Sequence, residues 1–167
     1  MNIIQTLQEQ NIQYKQYTII NFINISYEEK KMILSWRNDE KVRKWMVHKK
    51  IILLKEHLSY INSLNEKKDK LCFLVKRDDL SLGIVELDKI NDTFAYFGLN
   101  INTQIKIQGI GSILEEISIY IAKELLKLNE LRLYVYKDNL KAISLYQKSR
   151  YIETSNKDNI IYMEKKL

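Results

Sequence analysis

The sequence of 167 residues contains no proline, one cysteine, two histidines and only four glycines. One cysteine excludes a disulfide within the chain, and Cys72 lies in the apolar run 71–75, where we expect a small buried side chain. With one cysteine and two histidines, the chain has few of the side chains that usually bind transition metals, which argues against a metal site. No apolar run has the length of a membrane span, and the first residues are not typical of a signal peptide. We therefore expect a cytoplasmic protein that needs neither a metal nor a membrane.

Positive charge outweighs negative charge along the chain. There are 27 lysines and arginines against 21 acidic residues, and the net charge is +6. A basic balance suits nucleic acid, anionic lipid or a phosphorylated small ligand, and it equally suits an ordinary solvated surface. The lysines are spread along the chain without a nucleic-acid-binding motif, so we expect no nucleic-acid partner. As an alternative to an enzyme, a noncatalytic basic module that binds RNA or DNA stays open.

Hydrophobic periodicity predicts alternating strands and helices, and residues 1–14 are predicted to be a loosely held extension. A capping box at Ser26 and Glu29 opens the first helix, which runs through Trp36. This order predicts one domain over 1–167, of the α/β (α+β) class, with a mixed sheet of about seven strands and about four to five helices on both faces. Strands are predicted at 17–23, 71–77, 82–90, 94–102, 131–136, 151–154 and 159–165. Later helices are predicted at 40–46, 53–64, 109–128 and 139–149.

Two glycines stand two residues apart where a predicted strand leads into a strongly periodic helix. Gly109 and Gly111 would let the backbone approach a ligand closely. The free N–H groups at a helix start, together with the positive end of the helix dipole, suit phosphate oxygens. Taken alone, the pair also fits a tight turn between strand and helix.

Two segments resemble the GCN5-related N-acetyltransferase (GNAT) family, over about residues 17–166. Segment 106–112 is similar to the acetyl-CoA loop Gln/Arg-x-x-Gly-x-Gly/Ala, with Lys106 where Gln or Arg is usual. Segment 134–151 is similar to the family's strand and helix with Asn-x-x-Ala-x-x-Leu-Tyr, and Arg150-Tyr151 replaces its Gly-Phe-like turn. The resemblance implies a GNAT fold whose mostly antiparallel sheet is splayed between its fourth and fifth strands.

The resemblance also implies that acetyl-CoA is the cosubstrate and that an amine attacks its thioester directly. The pantetheine arm would pair with a strand edge, and Tyr146 would give a proton to the leaving thiolate. Glu86 and Asp88 are candidates for the general base, and each equally suits a solvent-facing strand position. The implied cofactor-binding residues are Leu99, Asn100, Ile101, Lys106, Ile107, Gln108, Gly109, Ile110, Gly111, Ser112, Asn139, Ala142 and Tyr146.

Within the family, segments 34–38, 44–46 and 52–58 resemble the acetyltransferases of pseudaminic acid biosynthesis, a pathway of flagellin glycosylation. That resemblance implies transfer to the 4-amino group of a UDP-linked 4-amino-4,6-dideoxy sugar, with a homodimer as a candidate assembly. Cationic side chains would meet the phosphates, and apolar ones would meet the deoxy-sugar methyl group. The implied substrate-binding residues are Arg37, Trp45, Met46, His57, Lys89 and Tyr96.

The sequence leaves alternatives open both for the acceptor-binding residues and for the acceptor itself. Trp45, Met46 and His57 equally suit positions in the protein core. The segment Trp36-Arg37-Asn38 is also similar to GNAT enzymes that acetylate ribosomal proteins or protein N-termini, so such an amine is the alternative acceptor.

Overall fold

The computed structural model describes residues 3–167, and in that range eight strands form one sheet in the order β1-β2-β3-β4-β5-β6-β8-β7. The strands are β1 (Ile12–Tyr14), β2 (Tyr17–Asn21), β3 (Leu71–Arg77), β4 (Leu80–Asp88), β5 (Phe94–Ile101), β6 (Glu130–Tyr136), β7 (Ile152–Lys157) and β8 (Ile160–Lys166). The α-helices are α1 (Ile3–Glu9), α2 (Tyr27–Asn38), α3 (Glu40–Arg43), α4 (Leu54–Ser63), α5 (Ile110–Tyr120) and α6 (Leu140–Lys148). A 3₁₀ turn (Leu64–Glu66) follows α4, and a π-helical turn (Ile121–Leu125) follows α5.

Helices cover both faces of the sheet, as predicted. α5, α6 and α1 pack on one face, while α2 and α4 pack on the other. β3 lies between the two layers: Leu71, Phe73 and Val75 belong to the first core, and Cys72 and Leu74 belong to the second. A strand that is buried on both faces needs a continuous apolar run, which explains the composition of 71–75.

Residues 3–14 are not part of a loose extension, which we predicted for 1–14. Residues 1 and 2 lie outside the described part of the chain, but α1 buries Ile4 and Leu7 in the core. β1 then pairs antiparallel with β2, with Ile12 opposite Ile19. The prediction is wrong because a helix of seven residues has too few turns for a clear periodic signal, and its stability comes from docking on the sheet.

A capping box begins α2, as predicted. The Glu29 backbone N–H donates to Ser26 Oγ at 3.1 Å, and the Ser26 N–H donates to Glu29 Oε2 at 2.9 Å. The helix ends at Asn38, and Asp39 caps the start of α3 by accepting from the Lys41 N–H at 2.9 Å. α3 ends at Arg43, so it is shorter than the predicted 40–46.

The sheet is splayed between β5 and β6, which are the fourth and fifth of the predicted strands because β1 was not predicted. These strands run parallel and pair only from Phe94 opposite Glu130 to Tyr96 opposite Arg132. Residues 97–101 remain paired with β4 on their other side. The β5 edge that faces β6 therefore carries backbone groups without a strand partner over 97–101.

Gly83 is needed for the close approach of β4 to β5. An added Cβ would overlap the Asn100 carbonyl oxygen and come within 2.7 Å of Leu114 Cδ1. We expect Gly83→Ala to lower the free energy of unfolding by about 2 kcal/mol, because the backbone of β5 must move to make room.

Gly98→Ala is the matched control, since a Cβ there would meet open space. Its unfolding free energy should stay within about 0.5 kcal/mol of the parent. Urea unfolding at constant m value measures both variants. Equal midpoints for the two variants would contradict the close approach.

Candidate active site

A cleft of about 1490 Å³ opens where β5 and β6 separate, and it is bordered by the starts of α5 and α6 and by the chain after α3. The predicted site residues that line it are Arg37, Trp45, Met46, His57, Glu86, Asp88, Tyr96, Leu99, Asn100, Ile101, Ile107, Gln108, Gly109, Ile110, Gly111, Ser112, Asn139, Ala142 and Tyr146. Lys89 and Lys106 are the predicted site residues that do not line it.

Both of these lysines are exposed outside the cleft. Lys106 lies between Ile105 and Ile107, whose half-buried side chains border the cleft, so the lysine between them faces solvent. Lys89 follows the end of β4, and its Nζ lies 5.3 Å from the centre of the Tyr96 ring. The predicted contacts of Lys106 with the pyrophosphate and of Lys89 with the sugar phosphates are therefore not supported by this arrangement.

The glycine pair begins α5 at the edge of the cleft. Gly109 is the N-cap residue, with φ +79°, and an added Cβ would meet open space. At Gly111 a Cβ would come within 3.1 Å of Leu145 Cδ2, so α5 lies close to α6 there and a larger residue would require the Leu145 side chain to shift. The N–H groups of the first turn have no acceptor within the helix, and this turn carries no acidic side chain. The start of α5 therefore suits an anion such as a pyrophosphate.

α6 positions the other two cofactor residues. Asn139 caps the helix, because its Oδ1 accepts from the Ala142 N–H at 3.3 Å, and its amide nitrogen is left for a ligand. Tyr146 is 7% exposed, and its ring packs edge-to-face on Phe97 with ring centres 5.7 Å apart. Burial, and then the charge of Glu115, raise the pKa of Tyr146 to about 12. The phenol therefore stays protonated near neutral pH, as a proton donor requires.

Glu86 lies on the floor of the cleft in β4, between Cys72 of β3 and Gly98 of β5 in the sheet register. Arg37 Nη2 is 3.2 Å from Glu86 Oε1, but the angle is not that of a hydrogen bond, and this buried oxygen has no other partner. Burial lowers the pKa of Arg37, but the Glu86 carboxylate together with Tyr60 and Cys72 outweighs burial, and the pKa is raised overall. Gly98 has no Cβ and leaves open space beside the carboxylate.

Asp88 and Glu86 each have a cationic neighbour, but Asp88 differs from Glu86 in that it also accepts an aligned hydrogen bond. Its Oδ2 lies 3.5 Å from Lys70 Nζ, and its Oδ1 accepts from the Lys89 N–H at 3.0 Å. This contrast favours Glu86 as the carboxylate that is available to a substrate.

Three side chains that sequence reasoning missed also line this part of the cleft, namely Tyr60, Lys70 and Tyr134. Lys70 Nζ lies 5.7 Å from the Tyr60 ring centre, and the Tyr60 hydroxyl is 3.5 Å from Cys72 Sγ. Only the alternation of β6 offered a signal, since Tyr134 is an exposed aromatic within a strand. Lys70 and Tyr60 reach the cleft through long-range packing that a local pattern does not contain.

Cys72 is fully buried, as predicted, and burial raises its pKa above the ordinary thiol value. A buried thiol with a raised pKa is a poor nucleophile, so an acyl-enzyme on Cys72 is disfavoured.

His57 is buried, and its Nε2–H donates to the Lys30 carbonyl at 2.9 Å. Burial, followed by the charge of Arg37, lowers the pKa of His57, so the ring is neutral near pH 7 and brings no charge to a phosphate. The Nε2 atom of His57 is therefore satisfied within the protein core, and Nδ1 is the ring nitrogen that is left for a ligand.

The segment between α3 and α4, residues 44–53, closes one side of the cleft. Its end is held by Asn38, whose side chain both donates to the Ile52 carbonyl and accepts from the Ile52 N–H, each at 2.9 Å. Across the cleft, Lys49 Nζ lies 5.5 Å from the centre of the Tyr136 ring. Trp45 and Met46 are half-buried and line the cleft, so they are available as an apolar surface for a substrate.

No helix within residues 3–167 has the length and apolar content to cross a membrane. In the same range, no three His, Cys, Asp or Glu side chains come together as metal ligands.

Known proteins of similar sequence match most of the chain. The sequence profile of the Acetyltransferase (GNAT) family matches residues 30–150. Two relatives named Acetyltransferase PseH, from two strains of Campylobacter jejuni, are 35% and 36% identical over 131 and 132 residues. Each alignment covers 78% of this chain and 82% of the relative.

Solved structures of similar fold include the Campylobacter jejuni N-acetyltransferase PseH, both alone and in complex with acetyl coenzyme A. Both have a TM-score of 0.76, at 27% and 29% identity, over 90% of this chain and 98% of theirs. The spermidine N-acetyltransferase of Vibrio cholerae in complex with CoA and spermine has a TM-score of 0.80 at 19% identity, over 92% of this chain and 96% of its own. At that identity the likeness shows the fold alone.

A glutamate at the start of α5 should abolish binding of acetyl-CoA. Gly109→Glu places a negative charge where the pyrophosphate is expected, whereas Gly109→Asn tolerates the left-handed backbone without adding charge. At a ligand concentration of about 100 Kd, the parent and the Asn variant should gain about 2.7 kcal/mol of stability, seen as a rise in Tm. The Glu variant should show no rise. A rise equal to that of the parent would contradict the phosphate-binding role of this turn.

Proposed function

The chain belongs to the GNAT acetyltransferase family and is an acetyl-CoA-dependent N-acetyltransferase, and from that premise we propose that it acetylates the 4-amino group of a UDP-linked 4-amino-4,6-dideoxy sugar. Two observations support this acceptor. Relatives named PseH share about a third of their residues with this chain, and three N-terminal segments resemble the acetyltransferases of pseudaminic acid biosynthesis. The reaction would be one step in the biosynthesis of pseudaminic acid.

The Glu86 oxygen that lies beside Arg37 without an aligned hydrogen bond carries the proposal. Glu86 Oε1 is buried in the cleft without an aligned hydrogen bond, and Gly98 leaves room beside it. The Arg37 guanidinium offsets part of the cost of burying this oxygen, and a ligand N–H group would add the aligned hydrogen bond that the oxygen lacks. An acceptor amine has that group, and Glu86 would both orient it and take up its proton.

The charge of the cleft supports an anionic acceptor. Five cationic side chains line it against three carboxylates: Arg37, Lys41, Lys70, Lys141 and Lys148 against Glu56, Glu86 and Asp88. A nucleotide sugar brings phosphates that such a surface attracts, whereas a polyamine would be repelled. Trp45 and Met46 offer the apolar contact that a deoxy-sugar methyl group needs.

The chemistry would proceed by direct transfer. Acetyl-CoA supplies an activated acetyl thioester, and the free edge of β5 at 97–101 is suited to pair with its pantetheine arm. As the amine forms its bond to the acetyl carbon, Glu86 takes the amine proton directly or through one water. Tyr146 gives its phenolic proton to the sulfur as the carbon–sulfur bond breaks. Backbone N–H groups of the same edge are candidates for stabilising the oxyanion.

A single-domain enzyme that acts in the cytoplasm, where the lone Cys72 stays reduced, is consistent with this proposal. A homodimer stays a prediction.

The acceptor is tested by supplying acetyl-CoA with four amines in turn. These are UDP-4-amino-4,6-dideoxy-N-acetyl-β-L-altrosamine, the same amino sugar without UDP, spermidine, and a peptide with a free α-amino group. We expect the mass of one acetyl group to be added to the UDP-sugar at the highest kcat/KM. Faster transfer to the peptide would instead support the ribosomal-protein or N-terminal alternative, and no transfer to the UDP-sugar would end the proposal.

Substitutions of Glu86 and of Asp88, which lies two residues later on the same strand, distinguish the roles of the two carboxylates. Glu86→Gln should lower kcat/KM for the amine by about 100-fold or more, because the variant cannot accept the proton. Asp88→Asn is the control, and its loss should be much smaller because Asp88 already accepts a hydrogen bond from the Lys89 N–H. Steady-state kinetics measure both, and an equal loss in the two variants would contradict the choice of Glu86.

Tyr146→Phe should lower kcat by about 100-fold while the Kd of acetyl-CoA stays nearly unchanged, because only the phenolic proton is removed. Tyr120→Phe is the control, since that ring stacks on Tyr14 and does not line the cleft. An unchanged kcat in Tyr146→Phe would remove the general-acid role.

A further inference from the structure

A buried carboxylate lies behind the proposed proton donor, outside the cleft. Glu115 of α5 is 6% exposed and is not among the residues that line the cleft. It follows Gly111 by four residues, so it lies one turn further along the same face of α5. Gly111 is the residue at which α5 lies close to Leu145 of α6. Glu115 therefore faces the region between α5 and the end of α6.

Glu115 is held there by a small polar cluster. Its Oε1 lies 3.3 Å from Lys165 Nζ of β8, and the side chains of Ser149 and Tyr151 also act to lower its pKa. Burial outweighs these partners and raises the pKa of the carboxyl group above its ordinary value. The Tyr151 hydroxyl is buried without a hydrogen bond, and burial, followed by the charge of Glu115, raises the pKa of Tyr151.

Tyr151 connects this cluster to Tyr146 through the end of α6. The Tyr151 N–H donates to the Tyr146 carbonyl at 2.9 Å, and the Arg150 N–H donates to the Gln147 carbonyl at 3.0 Å. With Arg150 at φ +65°, these bonds form a Schellman motif in which arginine stands where glycine is usual. The backbone therefore fixes where Tyr151 lies relative to Tyr146.

The rings complete the connection. The Tyr151 ring lies 5.7 Å from the Tyr146 ring and 5.8 Å from Phe97 of β5, and Lys165 Nζ lies 5.4 Å from the Tyr151 ring centre. Tyr146, Phe97 and Tyr151 thus form a cluster in which each ring contacts the other two, and Lys165, the ion-pair partner of Glu115, lies against the Tyr151 ring. A change at Glu115 can therefore reach the Tyr146 hydroxyl through the Tyr151 ring as well as through charge.

We infer that Glu115 is a positioning residue, which holds the Tyr151 ring and thereby aims the Tyr146 hydroxyl at the sulfur of the leaving group. The inference rests on the proposed general-acid role of Tyr146. A displacement of a proton donor by about 1 Å can cost up to about 100-fold in rate without weakening binding. Glu115 therefore acts on kcat and leaves the KM of both substrates nearly unchanged.

Glu115→Gln is the first variant, because it keeps the size of the side chain and removes its charge. Its kcat should fall by about 10- to 100-fold. Glu116→Gln is the matched control: it removes the same charge from the next position of α5, where the carboxylate instead contacts Lys15 and Tyr14. The control should keep the kcat of the parent. An unchanged kcat in Glu115→Gln would overturn the inference.

A double-mutant cycle separates positioning from general damage. If Glu115 acts through Tyr146, adding Glu115→Gln to Tyr146→Phe should lower kcat no further than Tyr146→Phe alone. Multiplied losses in the double variant would overturn the inference, because the two residues would then act independently. If Tyr146→Phe alone leaves kcat unchanged, the general-acid proposal fails instead, which is a different result.

Tyr151→Phe provides a second route if Glu115→Gln does not fold, which its Tm would reveal. This variant keeps the ring and removes only the hydroxyl that faces Glu115. Its kcat should fall severalfold with KM unchanged, and the same cycle with Tyr146→Phe should again show no added loss. Full activity of Tyr151→Phe would overturn the connection through Tyr151.

Discussion

The parallel pairing of β5 with β6 ends after three residues, and the rest of the site depends on that ending. From Phe97 to Ile101 the β5 backbone is bonded on one side only. An unpaired edge exposes hydrogen-bonding groups, and an extended ligand that pairs with it gains main-chain bonds. The same separation of strands opens the interior of the sheet, so that a ligand between them reaches side chains from both faces.

Under the proposed function, different parts of the fold would bind the two substrates around this opening. The start of α5 would supply free N–H groups for the acetyl donor, and α6 would supply the Asn139 amide at its N-cap and the Tyr146 phenol in its last turn. β4 and α2, from the other side, would supply Glu86 and its neighbour Arg37 for the acceptor. Because Gly98 carries no side chain, nothing at that position separates the carboxylate from the opening. Donor and acceptor would therefore meet at the point where β5 leaves β6.

Local patterns predicted much of this arrangement. The bounds of β3, the capping box at Ser26 and the helix after Gly109 follow from periodicity and capping, which act over a few residues. The resemblance to GNAT enzymes predicted that the sheet is splayed, and the pairing of β5 with β6 over three residues agrees with this. It also predicted the family, which the family profile and the relatives confirm. The individual site residues stay predictions, although most of them line one cleft.

The misses share a physical cause, which is that they depend on contacts between distant parts of the chain. α1 and β1 are too short to be periodic and are stabilised by docking. Lys70 reaches Asp88 only because β3 pairs with β4, and Glu115 is buried only because α6 and β8 pack beside α5. Lys106 is exposed between two isoleucines that border the cleft, and its contact with a pyrophosphate stays a prediction.

A crystal structure of the protein grown with CoA tests the central claim most directly. We expect the pantetheine arm to lie between β5 and β6, with main-chain hydrogen bonds to residues 97–101, and the pyrophosphate to contact the N–H groups that follow Gly109. CoA bound elsewhere, or β5 and β6 closed against each other in its presence, would contradict the account.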